Sequence, residues 1–160
     1  MIKVVMLFLG VCLWGSVAAQ HGEAQRVEAL TQNAPAQLAA VSVSAEGVSV
    51  EVSATLTQRS REERIVALAL GIVMVDAFND VIAVNYIRWM EDLAGLEVGE
   101  NANLSSSFVT PRADDLFLSV PFVYAVRFED GEVWKENLSN VATELLARFE
   151  VAVSSSTLQP

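Results

Sequence analysis

Cysteine, histidine and lysine are almost absent from this chain of 160 residues. Its one cysteine is Cys12, its one histidine is His21, and its lysines are Lys3 and Lys135. Basic residues are scarce overall, 10 against 20 acidic ones, for a formal net charge of −10. Each shortage removes a class of function. Nucleic-acid phosphates and anionic membrane surfaces both require clustered Lys and Arg, so neither is an expected partner. A single cysteine closes no disulfide within the chain, and it leaves zinc without its usual thiolate set. His21 near the start reads as a solvated side chain, not as the base of a catalytic triad. No cofactor and no metal site is expected, and the chain does not read as an enzyme.

Apolar runs long enough to span a bilayer, about 20 residues, are also lacking. One shorter run opens the chain. Lys3 supplies a positive start, Val4 to Trp14 an apolar stretch, and Ser16-Val17-Ala18-Ala19 small residues for cleavage. That order is the pattern of a secretory signal, so residues 1–19 are expected to be a signal peptide. Cys12 follows Leu9-Gly10-Val11 inside the apolar stretch, a poor match to a lipidation site. Cleavage would leave 9 basic residues against 20 acidic ones, and no cysteine. The mature protein would be extracytoplasmic, periplasmic or secreted, with no stable membrane insertion, and held together by its core alone.

What is present is alternation. After an Ala- and Gln-rich stretch over 20–39, read as a leader with a helical turn near Val27 to Leu30, the texture changes. Val48, Val50, Val52, Ala54 and Leu56 alternate with Ser49, Glu51, Ser53, Thr55 and Thr57, the period of a half-buried strand. Ile65 to Val75 is apolar in both alternating sets, which predicts a central strand covered on both faces. One set is Ile65, Ala67, Ala69, Val73 and Val75; the other is Val66, Leu68, Leu70, Ile72 and Met74. Asp76 to Asp80 has turn chemistry, and Val81 to Trp89 completes a hairpin. Leu104 to Val109 and Leu116 to Phe128 are further strands, with Pro121 suggesting an edge or a bulge in the second. Asp130-Gly131 predicts a two-residue hairpin turn, placing Phe128 opposite Val133 and Arg127 opposite Trp134. From Leu138 the period becomes helical: Leu138, Val141, Ala142, Leu145, Leu146 and Phe149 share one stripe, capped by Ser139 or Asn140. This helix is expected to cover part of the second face of the Ile65–Val75 strand. The serine-rich end, 152–160, reads as a disordered and dispensable tail.

The candidate sites are few. Asp114-Asp115 and Glu129-Asp130 are neighbours in sequence and read as turn residues rather than catalytic pairs. Asp76, Asn79 and Asp80 could offer oxygens to calcium but lack the spacing of a calcium loop. Glu91, Asp92, Glu97 and Glu100 read as a solvated acidic loop. Tyr86, Trp89, Tyr124, Phe128 and Trp134 are aromatics of the kind that usually pack within sheets. The best candidate interaction surface is Trp89, Arg127 and Trp134, with Arg127 placed for a cation–π contact on Trp134.

Short strands separated by turns, closed by a helix and without strand–helix–strand alternation, predict a mainly β fold. The expected architecture is an antiparallel Ig-like β-sandwich over residues 40–151 with a C-terminal amphipathic helix. The alternating first strand, the Ile65–Trp89 hairpin and the closing VYAVRFEDGEVWKE resemble immunoglobulin-like or fibronectin-III-like extracytoplasmic domains. That resemblance implies a sandwich with a binding or structural role and carries no catalytic residues with it. The expected function is an exported, non-enzymatic interaction module with a protein partner or with self-association. The alternative is a carrier of a small apolar ligand held between the sheets or under the helix.

Overall fold

The computed structural model describes residues 25–30, 32–59, 63–90 and 95–160. The signal segment, Cys12, His21 and the Glu91-Asp92 pair lie outside them. The elements run β1 (Arg26–Val27), β2 (Ala36–Glu46), β3 (Ser49–Gln58), β4 (Ile65–Val75), β5 (Val81–Met90), β6 (Asn101–Val109), β7 (Leu118–Phe128), β8 (Val133–Lys135) and α1 (Leu138–Phe149). The described residues form a sandwich of two sheets with one α-helix and a 3-10 turn at Ala113–Asp115. The larger sheet has the order β1-β7-β4-β5, with β8 also on β7, and the smaller is β2-β3-β6. All pairs are antiparallel except β1 with β7, which is parallel.

The alternation of β3 does what its period requires. Val50, Val52, Ala54 and Leu56 are buried between the sheets, opposite Leu68, Leu70, Ile72 and Met74 of β4. The other face of β4 belongs to a second core. Val73 and Val75 pack with Val120 and Phe122 of β7 and with Val141, Leu145 and Phe149 of α1. The helix therefore covers the Val73–Val75 part of the second face of β4, as its stripe predicts. Ile65 departs from the expected set. A register irregularity between Ile65 and Ala67 turns Ile65 into the inter-sheet core instead.

The segment expected as a leader is part of the fold. β1 lies beside Leu118–Ser119, Glu28 N–H donates to Ser119 O at 3.0 Å, and Leu30 N–H to Pro121 O at 3.1 Å. So Val27 to Leu30 is extended, not a helical turn, and Leu30 is buried under the helix. Further along, the Gln32 side chain takes the place of a strand. Its Oε1 accepts from Val123 N–H at 2.7 Å and its Nε2 donates to Val123 O at 3.0 Å. β8 then continues from Ala125. The free edge of β7 is thus closed by β1, residues 28–30, Gln32 and β8 in turn, which protects a long apolar strand from pairing with another chain. Pro121 is consequently not on a bare edge. Its carbonyl faces Leu30, so its missing N–H points to that side too, and the β4 ladder loses no bond.

The Asp130-Gly131 turn differs from expectation by one residue. Arg127 pairs with Val133 and Val126 with Trp134. The loop has three residues: Gly131 N–H donates to Phe128 O at 3.0 Å, and Phe128 N–H to Glu132 O at 2.9 Å. Gly131 takes a positive φ of 92°, the glycine position of a three-residue hairpin loop. Glu129 N–H is held by Arg64 O at 2.9 Å and Glu132 N–H by Asp130 Oδ1 at 2.8 Å, which fixes the longer loop. A one-residue slip sends every following side chain to the opposite face.

The β4–β5 turn is organised by Asp76. Its Oδ1 accepts from Phe78 N–H at 2.9 Å and Asp80 N–H at 3.0 Å, while Oδ2 meets Arg112 Nη2 at 2.5 Å. Burial pushes the Asp76 carboxyl up, but the two backbone donors and the Arg112 guanidinium outweigh it and hold its pKa below the ordinary value. A lowered carboxyl stabilises the fold above its unfolded pKa of about 4, and that contribution is lost as pH falls through the folded value. Asp76→Asn is therefore expected to lower Tm by several degrees near neutrality, and more than Asp115→Asn does. The Asp76→Asn and unsubstituted melts should converge as pH drops below 4 or so; a gap that persists in acid would mean the carboxylate charge is not what matters.

The helix cap lies two residues before Ser139 and three before Asn140, the caps expected. Asn137 is the cap, its side chain accepting from Ser139 N–H at 2.9 Å. The chain leaves α1 through Glu150 at φ 59°, with Val151 N–H returned to Leu145 O. This sharp exit lays the tail back across the sheet. Val151 and Leu158 are fully buried in the helix-side core, and the Tyr86 hydroxyl donates to Leu158 O. Burial and the adjacent Tyr124 push the Tyr86 hydroxyl up to about 12. The end of the chain is packed rather than disordered, because Leu158 supplies an apolar anchor that the serines around it conceal.

Candidate functional site

Helix α1 is shorter than the face it lies on. Over Gly71–Val75 the outer side of β4 is covered; over Ala67 and Ala69 it is not. The register there defines two rows. Met90 of β5, Ala67 of β4, Arg127 of β7 and Val133 of β8 stand side by side, and next to them Arg88, Ala69, Ala125 and Lys135. The result is a shallow apolar trough of about 180 Å³ floored by the three alanines. Met90 and Val133 are 71% and 47% exposed at its sides. No Asp or Glu occupies either row.

Arg88 and Arg127 are exposed and make no ion pair among the described residues. They stand diagonally across the alanine floor, two strand spacings and one row apart, about 12 Å. In a chain of net charge −10, two exposed guanidiniums over an uncovered apolar floor form a local field opposite to that of the molecule.

The residues singled out from sequence are divided by the sheet. Arg127 lies on the open outer face. Trp134, paired with Val126, and Trp89, paired with Leu68, are turned inward and pack against the inter-sheet core. The Arg127–Trp134 cation–π contact does not form, since the loop register places the two side chains on opposite faces. Trp89 and Trp134 support the trough from beneath rather than line one surface with Arg127. Sequence reasoning missed Arg88, Met90 and Val133. The signal for them was small: one alternating set of β4 carries Ala67 and Ala69 where the other carries Leu68 and Leu70.

Asp76, the residue considered for calcium, spends its carboxylate on the turn and Arg112. No group of three or more His, Cys, Asp or Glu side chains gathers as a metal site among the described residues. Among the same residues, no helix is long and apolar enough to cross a membrane.

The class that the fold defines is a two-sheet β-sandwich whose outer face is half covered by a C-terminal helix. No family model matches the sequence, and no curated protein and no solved structure matches it either.

Proposed function

We propose that this chain is an exported, non-enzymatic interaction module that engages a protein partner through the open half of its larger sheet. The observation that carries the reading is the uncovered Ala67–Ala69 floor with the exposed Arg88 and Arg127 beside it, neither in an ion pair among the described residues. Bare apolar sheet surface rimmed by polar groups is a mark of an interaction site. Two exposed guanidiniums favour a contact surface that carries carboxylates. Face-to-face pairing of two copies would bring Arg88 and Arg127 of both together with no acid in the rows to relieve them, which disfavours a symmetric dimer here. The carrier alternative is less well supported. The largest side chains between the sheets and under the helix, Leu56, Leu70, Ile72, Phe122 and Leu145 among them, are wholly buried against their neighbours.

Site-specific photocrosslinking tests this in the cells that make the protein. A photoreactive residue at Ala69 is expected to give a discrete adduct that disappears when Arg88→Glu and Arg127→Glu are added. The same residue at Ser53, on the outer face of the other sheet, should give none. Absence of an adduct at Ala69, or identical adducts at Ala69 and Ser53, would contradict the reading.

A further inference from the structure

The two margins of the larger sheet differ. The β7 edge is sealed by β1, residues 28–30, Gln32 and β8, whereas no backbone hydrogen bond joins the outer edge of β5 to another described residue. β5 also lacks the usual guards of an exposed edge, which are charge, proline or short length. Its ten residues include no proline and one charge, Arg88. Val81 to Tyr86 are half-buried in succession. Ile82 and Ala83 pack against the inter-sheet core, and Val81, Val84 and Tyr86 against the core under the helix. The strand is thus half covered on both faces, as a strand with a neighbour on one side only must be. The edges of the smaller sheet are unlike it. β2 is kinked by a register irregularity between Leu38 and Ala40, and β6 turns outward Asn101 and Asn103, which are hydrogen-bonded to Thr57 and Thr55.

We infer that β5 pairs edge to edge and antiparallel with β5 of a second copy, so that the larger sheets of two molecules become one. Charge placement selects this occupant. Asp80 stands just before the strand and Arg88 near its end, both exposed and neither in an ion pair among the described residues. About 26 Å of extended chain separates them, too far to pair within one copy. A two-fold axis at Val84 brings each Arg88 to the Asp80 of the other copy, because the two residues are equally distant from Val84 on either side. The same axis brings the exposed Met90 to the exposed Phe78. The long Arg88 side chain accommodates the one-residue irregularity of β5 at Ile82. Parallel pairing in register would instead set Arg88 beside Arg88 and Asp80 beside Asp80. Both copies are acidic, but at physiological salt charges more than about 8 Å apart are largely screened. The added strand lies beside β5 and not over the sheet, so the Ala67–Ala69 floor and Arg127 stay open, and the inference does not rest on the reading of that surface.

Sedimentation equilibrium of the purified protein at physiological salt tests this. A dimer is expected with Kd on the order of 10–100 μM, weak because one strand edge buries less than a standard interface. Asp80→Arg and Arg88→Asp should each weaken it about tenfold or more, and the double replacement should restore it, while all three melt like the unsubstituted protein. In a Cys12→Ser background, Val84→Cys should be joined to its own copy by a short bismaleimide, and Ser44→Cys on β2 should not. A protein that stays monomeric up to about 1 mM overturns the inference. So does a dimer indifferent to either charge reversal, one that the double replacement fails to restore, or one cross-linked through Ser44→Cys in place of Val84→Cys.

Discussion

Removal of residues 138–160 is expected to give a chain that aggregates or fails to fold. The truncation uncovers Val73, Val75, Leu118, Val120 and Phe122, all buried beneath the helix and tail. Burial of each large apolar side chain is worth about 1.5–3 kcal/mol, so the loss rivals the whole stability of a small domain, about 5–15 kcal/mol. A graded series separates the contributions. Leu145→Ala should cost about 2–5 kcal/mol. Leu158→Ala should cost a similar amount, because Leu158 is as fully buried as Leu145. Removal of 152–160 alone should then destabilise the protein, contrary to what the polar composition of that stretch suggests. Denaturant melts of the series measure each step. A 152–160 truncation that melts like the full chain would mean that the tail does not hold the position described.

Gly71→Ala is expected to destabilise the fold by about 3 kcal/mol or more, although strand propensity predicts the opposite sign. Glycine in a strand costs about 0.5–1 kcal/mol relative to alanine, so an unhindered replacement would help. Here a Cβ would lie 2.3 Å from Phe122 Cζ and 2.6 and 2.9 Å from its two Cε atoms. Phe122 is fully buried beneath the helix and has no room to yield. The ring sits on β4 because residue 71 has no side chain. Phe122→Ala alone should cost about 3–5 kcal/mol. The double replacement Gly71→Ala/Phe122→Ala should cost less than the two single effects together, since the clash disappears with the ring. Strict additivity in denaturant melts would show that the two residues do not meet.

Much of this architecture is legible in the residues, and the exceptions have physical causes. The alternation of β3 and the doubly apolar β4 fix which faces are buried, and the helical stripe from Leu138 to Phe149 identifies what covers the second face. The closing hairpin was not legible in its register. Asp130-Gly131 suits two-residue and three-residue loops alike, and the tie from Glu129 N–H to Arg64 O comes from a distant connection. Residues 26–30 have no strand periodicity because they pair on one side only, and the β7 edge beyond them is closed by a side chain, Gln32. The tail shows one leucine among polar residues, too little for any periodic signal. The candidate surface was half visible: Arg127 was identified, but its expected partner Trp134 faces the other way, and Arg88 becomes its neighbour only through the β4–β5 and β4–β7 registers.

The central claim is that the outer face of β4 is divided, closed under α1 at Val73 and open at Ala69. Single cysteines test this most directly, since Cys12 is the only native thiol and is easily replaced by Ser. In the folded protein, Ala69→Cys should react with a maleimide nearly as fast as an unfolded control. Val73→Cys should stay unmodified until denaturant unfolds the chain. Equal protection at the two positions, or equal reactivity, would contradict the division of the face and with it the site proposed upon it.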